Sequence, residues 1–145
     1  MESNIRFLEE RDRAAVLEMM RGFYASAAVS TNGSEEIFSA DIDNCIGDSP
    51  YLEGYVFEES GALQGYAMVA KSFSTEFGKS CIWIEDLFIK KDFRGLGLGS
   101  RFLKFIEEKY PNSLLRLEVE AENERAVHVY KKCGFEALPY MEMKK

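Results

Sequence analysis

"DFRGLGLGS", residues 92–100, carries glycines at positions 95, 97 and 99 directly after the strand-like run "CIWIEDLFIKK", residues 81–91. Glycine packs no side chain and costs backbone entropy, so three glycines in five residues indicate that the backbone of this stretch, rather than its side chains, carries its function. The start of a helix offers unpaired N–H groups and the positive end of the helix dipole, which together bind phosphate. The stretch therefore predicts a phosphate loop between a strand and a helix.

The hydrophobic pattern on either side of this loop predicts a single α+β domain over residues 1–145, with the order β-α-α-β-β-β-α-β-α-β. The middle hairpins predict a mixed, mostly antiparallel central sheet flanked by helices. The predicted strands are 5–8, 51–59, 62–73, 81–91, 114–120 and a last strand or bent pair over 135–144. The predicted helices are 12–24, 34–45, 97–110 and 123–132, and "STNGS" (30–34) separates the first two.

Composition excludes several classes of function. The net charge of −7 argues against nonspecific nucleic-acid binding. No apolar run reaches the roughly eighteen residues of a membrane span, and the charged start does not resemble a signal peptide, so we expect a cytoplasmic protein without a membrane partner. Cys45, Cys81 and Cys133 are widely spaced and His128 is the single histidine, which predicts buried thiols and no metal site.

Several phosphate loops compete for the glycine run. GxxxxGK[ST] is absent, which excludes a P-loop nucleotide hydrolase. A dinucleotide loop needs GxGxxG, whereas the third glycine is replaced here by Ser100. Glu118 and Glu120 lie about twenty residues further on, where a ribose-binding acid belongs, so a dinucleotide-binding protein stays an alternative.

The spacing Arg94-x-x-Gly97-x-Gly99 resembles the pyrophosphate loop [Q/R]-x-x-G-x-[G/A] of the GNAT superfamily of acyl-CoA-dependent N-acetyltransferases. "LEVEAENERAVHVYKKCGF", residues 117–135, resembles the second signature of that family, and the order of elements matches over nearly the whole chain. The resemblance implies acetyl-CoA as co-substrate, with the pantetheine arm along residues 87–89 and the pyrophosphate on the amides of residues 94–100. The implied cofactor-binding residues are Leu87, Phe88, Ile89, Arg94, Gly95, Leu96, Gly97, Leu98, Gly99, Ser100, Asn123 and Tyr130.

Two residues are candidates for the chemistry that the resemblance implies. Tyr130 would act as the general acid toward the leaving thiolate, and Asn123, two helical turns earlier, would share its face of the helix. Glu85 would take the proton of the amine. In a regular strand Asp86 points to the opposite face, although a bulge would exchange the two.

The acceptor is expected to be a cationic amine. From Gly22 to Ala70 the chain has no lysine or arginine but eight acidic residues: Glu35, Glu36, Asp41, Asp43, Asp48, Glu53, Glu58 and Glu59. This stretch shapes the acceptor pocket in the family, and the aromatic residues Phe23, Tyr24, Phe38, Tyr51 and Tyr55 suit either that pocket or the core. A polyamine-like small molecule is the first choice; a protein lysine or N-terminus, or a non-catalytic acyl-CoA-binding module, are alternatives. The resemblance also implies a homodimer.

Overall fold

The structure is a computed structural model that describes residues 4–26 and 33–145. Its strands are β1 (Asn4–Phe7), β2 (Leu52–Glu59), β3 (Ala62–Ser74), β4 (Lys79–Ile89) and β5 (Leu114–Leu117), and its helices are α1 (Arg13–Tyr24), α2 (Glu35–Ile46), α3 (Leu98–Lys109) and α4 (Glu124–Lys132). Short 3₁₀ turns, Glu10–Asp12 and Lys91–Phe93, precede α1 and α3. This α+β order confirms the predicted fold class. Most of the predicted "STNGS" break lies outside the described residues.

The five strands form one sheet in the order β1-β2-β3-β4-β5. Every neighbouring pair is antiparallel except β4 and β5, which are parallel. A parallel pair needs a long crossover connection, and α3 supplies it. The mixed, mostly antiparallel sheet therefore places the glycine loop at the start of the crossover helix.

Helices cover both faces of the sheet. On one face, Val16 and Met20 of α1 and Ile42 of α2 pack on Val56 and Tyr66 in a fully buried core. On the other face, α3 buries its apolar side against the opposite faces of β2, β3 and β4, and α4 packs beside it. Each fully buried large apolar side chain contributes about 1.5–3 kcal/mol, so these two layers hold the sheet rigid beneath the loop. None of the helices among the described residues is long and apolar enough to cross a membrane.

The C-terminal end departs from the prediction at two points. β5 ends at Leu117 rather than at residue 120, and residues 135–145 form no strand. Pro139 has no N–H to donate to a ladder. The segment is held instead through side chains, since the Tyr140 hydroxyl donates to Glu76 at 2.6 Å. The predicted last strand is therefore wrong.

Gly65 of β3 marks a close approach between strands beside the candidate site. A Cβ at this position would lie 2.3 Å from the backbone oxygen of Phe88 in β4 and 2.8 Å from the ring of Phe57. The contact with Phe88 cannot be relieved without moving a strand, because the Phe88 oxygen is a backbone atom. Glycine here is what allows β4 to lie in register with β3.

We predict that Gly65→Ala destabilises the protein by about 1–3 kcal/mol, the usual cost of overpacking a core. Gly22→Ala in α1 is the matched control, because its Cβ would meet an atom of the same residue, the Cζ of the Phe88 ring, at an ordinary 3.8 Å. That control should be neutral or stabilising by up to about 1 kcal/mol, since alanine favours a helix. Urea unfolding measures both, and equal stabilities of the two variants would contradict the argument.

Candidate active site

The site begins where β4 and β5 separate. The two strands pair over Cys81–Ile84 and Leu114–Leu117, so the edge of β4 from residue 85 to 89 has no neighbouring strand in the described part of the chain. The Lys90 N–H donates to Gln64 in β3, and N–H groups alternate between the two edges of a strand. The backbone of Ile89 and Leu87 therefore faces the open edge, as a ligand that pairs with the strand requires.

The glycine loop closes one end of this opening. Gly95 and Gly97 have φ values of +80° and +81°, a left-handed conformation that favours glycine. Gly97 is the N-cap of α3, and no side chain caps the helix. A Cβ on Gly97 would meet nothing within 4 Å, so the space in front of the first-turn N–H groups is open. These features fit a pyrophosphate group.

A cleft of about 420 Å³ runs from the open edge of β4 to the loop and to α4. The predicted residues that line it are Leu87, Phe88, Ile89, Arg94, Gly95, Gly97, Leu98, Gly99, Ser100, Asn123 and Tyr130. Leu96, which is exposed, and Glu85 do not line it. Phe23 of α1, which the sequence predicted for either the acceptor pocket or the core, and Arg125 of α4, which it did not indicate, also line the cleft. The motif spacing gave no signal for either residue, because neither belongs to the glycine signature.

Arg94 lines the cleft and also holds the loop. Its Nε donates to the Ile89 carbonyl at 2.8 Å, and its guanidinium lies 5.4 Å from the centre of the Phe88 ring. The side chain thus ties the loop back to the end of β4 through its Nε and lies over the Phe88 ring.

Helix α4 presents Asn123 and Tyr130 to the cleft. The Asn123 Oδ1 accepts from the Ala126 N–H at 3.3 Å, so this residue caps the helix as predicted. The Tyr130 hydroxyl makes no hydrogen bond within the described residues, while its ring packs against Phe135. Burial raises the pKa of Tyr130, which keeps the hydroxyl protonated and able to donate a proton.

Glu85 is the extra residue of a bulge in β4. Met68 of β3 pairs with Asp86 and Val69 pairs with Ile84, which leaves Glu85 without a partner across the ladder. The residue is exposed, but its carboxyl lies close to protein atoms; this desolvation, with the nearby Asp86 and Glu142 carboxylates, raises the pKa of Glu85. A raised pKa brings a carboxylate closer to the neutral range in which a general base works.

The same bulge turns Asp86 into the core beneath α1 and α2. Its carboxylate accepts hydrogen bonds from the Tyr66 hydroxyl at 2.7 Å and the Tyr24 hydroxyl at 3.0 Å. Burial raises the pKa of Asp86, and the two tyrosine hydrogen bonds oppose that rise. Asp86 is therefore fixed in place and acts electrostatically on the carboxyls around it.

Most of the partners of the acidic stretch lie away from this site. Arg21 pairs with Glu35, Arg13 with Asp43 and Arg6 with Glu58, while Glu53 accepts from the Tyr55 and Tyr110 hydroxyls. Asp41 differs from these residues. Its burial, together with Asp86 and Glu85, raises its pKa to about 6. Of the eight acids, Asp41 is thus the one whose pKa responds to both carboxyls of the bulge.

Two further carboxyls approach Glu85 from the second half of the chain. Burial, a hydrogen bond with Glu142 and the charge of Glu85 raise the pKa of Glu118, which follows β5, to about 7. The sequence analysis considered Glu118 only as a ribose-binding acid and placed Glu142 in the strand that does not form. The chain fold brings them together, and no spacing in the sequence indicates it.

The remaining aromatic and cysteine candidates lie in different parts of the structure. Phe38 and Tyr55 lie in the core and Tyr51 is exposed, whereas Phe23 lines the cleft and Tyr24 holds Asp86. All three cysteines are free, Cys81 being buried and the other two partly buried. Within residues 4–26 and 33–145, no group of histidine, cysteine and acidic side chains could hold a metal ion.

Comparison with known proteins gives a consistent result. The model of the acetyltransferase (GNAT) family matches residues 15–135. The thialysine N-ε-acetyltransferase of Bos taurus is 30% identical over 95% of this chain and 86% of its own length. The spermine/spermidine N(1)-acetyltransferase of Bacillus subtilis (strain 168) is 26% identical over 94% of this chain and 89% of its own length.

Solved structures share the fold at low identity. AAC(6')-Iy in complex with the bisubstrate analogue CoA-S-monomethyl-acetylneamine superposes with a TM-score of 0.82, at 12% identity, over 100% of this chain and 98% of that chain. Glucosamine-6-phosphate N-acetyltransferase from Arabidopsis thaliana gives a TM-score of 0.73, at 21% identity, over 100% and 99%.

The raised pKa of Asp41 leads to a prediction about stability. Because the pKa rises from 3.8 to about 6 on folding, the native state binds more protons than the unfolded state between these pH values. The contribution of Asp41 to the free energy of unfolding therefore falls as the pH rises from about 4 to about 6. We expect Asp41→Asn, which has no carboxyl to ionise, to lose less stability than the wild type over this range.

Urea unfolding at a series of pH values measures this difference. Glu36→Gln, an exposed carboxyl of the same helix, serves as the control and should follow the wild-type profile. A wild-type profile for Asp41→Asn would show that the Asp41 carboxyl is not desolvated in the folded protein.

Proposed function

The chain belongs to the GNAT family and is an acetyl-CoA-dependent N-acetyltransferase, and we propose that its acceptor is a small cationic amine of the polyamine or lysine-analogue type. The observation that carries this proposal is the group of carboxyls around Glu85, whose burial and mutual charge raise their pKa values. The cleft, which joins the open edge of β4, the glycine loop and the Tyr130 side chain, supports the use of acetyl-CoA. Bound acetyl-CoA supplies an activated acetyl thioester. The remaining requirements fall on residues of the chain.

We assign the cofactor contacts along the cleft in the order that the residues occur. The backbone of Leu87 and Ile89 pairs with the pantetheine arm, and the N–H groups of residues 94–100 hold the pyrophosphate. Asn123 contacts the pantetheine end from α4. The support for this arrangement is the open edge of β4 and the uncapped first turn of α3.

The chemistry requires a neutral amine and a protonated leaving group. A lysine-like amine has a pKa near ~10.4, so deprotonating it at pH 7 costs about 4.6 kcal/mol. Glu85, directly or through water, accepts this proton, and its raised pKa suits the role. The Tyr130 hydroxyl donates a proton to the thiolate sulfur as the C–S bond breaks. A backbone N–H of β4 polarises the carbonyl.

The charge around Glu85 supports a cationic acceptor. The charge of Glu85 raises the pKa of Asp41 and of Glu118, and the charge of Asp86 raises the pKa of Asp41 and of Glu85. An ammonium group that binds among these carboxylates therefore relieves the repulsion between them. Two relatives bear names that specify amine acceptors, thialysine and spermine or spermidine. A protein lysine or N-terminus is the second candidate for the acceptor. A homodimer and a cytoplasmic location stay predictions from the sequence.

Calorimetric titration with acetyl-CoA, NAD and NADP tests the cofactor site. We expect acetyl-CoA alone to bind, and Gly97→Ala to weaken binding because alanine is strained at φ +81° and its methyl group enters the cradle. Gly78→Ala is the matched control, since Gly78 has φ +66° and open space but lies in the β3–β4 turn. Preferred binding of a dinucleotide, or equal acetyl-CoA affinity of both variants, would contradict the assignment.

Thiol release with spermidine, thialysine, an N-terminal peptide and a neutral aromatic amine tests the acceptor. We expect the two small cations to react best. Tyr130→Phe and Glu85→Gln should each lower kcat by about 10²–10⁴-fold, the usual contribution of general acid–base catalysis, with acetyl-CoA affinity retained. Wild-type kcat in both variants would exclude these roles, and absence of turnover with every amine would favour a non-catalytic acyl-CoA-binding module.

A further inference from the structure

Arg125 stands apart from the other arginines of the chain. Four arginines of the first half pair with carboxylates: Arg6, Arg11, Arg13 and Arg21. Arg94 donates a hydrogen bond to a backbone carbonyl, and Arg116 lies over the Trp83 ring. Arg101 is also engaged in an interaction. Arg125 makes no hydrogen bond, ion pair or ring contact within the described part of the chain. Its side chain is exposed, and Glu122 and Glu124 lie close by in the sequence.

The position of Arg125 relates this free charge to the loop. The residue lies in the first turn of α4 and lines the cleft. Its Nη2 is 3.7 Å from where a Cβ on Gly95 would stand. The guanidinium therefore lies at van der Waals contact distance from the position that a Gly95 side chain would take, and both residues border the same part of the cleft.

The two sides of this space differ in chemistry. On one side the first turn of α3 offers backbone N–H groups, which are dipoles without a full charge. On the other side stands Arg125. The described lining of the cleft contains one other cationic residue, Arg94, and that side chain is engaged with Ile89 and Phe88. Arg125 is thus the uncommitted full positive charge beside the loop.

We propose that Arg125 determines the donor specificity of the enzyme by binding the pyrophosphate of acyl-CoA from the side opposite the loop. A guanidinium presents two parallel N–H donors that match phosphate oxygens, which is the geometry that an anion held on the loop requires. Arg125 then selects donors that carry the pyrophosphate over thioesters that end at pantetheine. This inference rests on the proposed placement of the pyrophosphate in the loop.

Calorimetric titration with CoA and with dephospho-CoA, which lacks only the 3′-phosphate, tests the proposal without turnover. Arg125→Gln should weaken the binding of both ligands about tenfold or more, the usual loss for a charge-assisted hydrogen-bonding pair. The affinity of Arg125→Lys for both ligands should lie between those of the wild type and Arg125→Gln, because an ammonium keeps the charge but not the paired donors. Lys104→Gln, an exposed cation of α3 outside the cleft, is the control for net charge and should match the wild type.

Kinetics with two donors gives an independent readout. Arg125→Gln should raise KM for acetyl-CoA and leave kcat near the wild-type value, whereas kcat/KM for acetyl-pantetheine should not change. Thermal unfolding of each variant verifies that the fold is kept. An equal loss with acetyl-pantetheine would assign Arg125 a structural role and overturn the proposal.

Other outcomes separate this inference from the proposed function. Wild-type affinity of Arg125→Gln for CoA would overturn the inference alone, with the loop assignment intact. A loss with CoA that disappears with dephospho-CoA would place Arg125 on the 3′-phosphate and refute the pyrophosphate contact. Absence of CoA binding by the wild-type protein would overturn the loop assignment and this inference together.

Discussion

The separation of β4 from β5 is the constraint on which the rest of the site depends. The two strands pair over only four residues each, and the crossover through α3 then carries the chain away. A parallel pair that continued would satisfy the backbone of residues 85–89 and leave nothing for a ligand to bind. The glycine loop is a consequence of the same geometry, because the crossover helix must begin at the point where the strands part. An open strand edge and an open helix end thus lie side by side.

The bulge at Glu85 has an electrostatic effect as well as a geometric one. It turns Asp86 into the core, where two tyrosine hydroxyls hold it, and leaves Glu85 on the exposed side. Several carboxyls whose pKa values are raised then surround one small region. Such an arrangement costs stability in the free protein and is relieved when a cation binds. Electrostatic repulsion between carboxylates is therefore an expected property of a site that binds a cationic acceptor.

The charges near the loop are arranged in the opposite sense. Arg94 is tied to the end of β4, and Arg125, which has no partner within residues 4–26 and 33–145, stands beside Gly95. The cleft thus has a positive end, where phosphate is expected, whereas the carboxyls around Glu85, where the amine is expected, lie outside its lining. Tyr130 lies on α4 five residues beyond Arg125, so the same helix carries the proposed donor contact and the proposed general acid. A rigid helix with a capped N-terminus suits both purposes.

The sequence by itself determined the fold class, the order of all the elements that form, the loop and the cap of α4, since these depend on local patterns: periodicity, glycines at fixed spacing, and Asn123 before a helix. The prediction was wrong for the C-terminal segment, where the residue pattern is typical of a strand. The segment contains Pro139 and forms no strand in the structure. Only the tertiary structure decided that Asp86 faces the core, that Glu118 and Glu142 approach Glu85, and that Arg125 lies over Gly95. These facts depend on a one-residue bulge and on contacts between elements distant in the chain, and no local pattern in the sequence encodes such contacts.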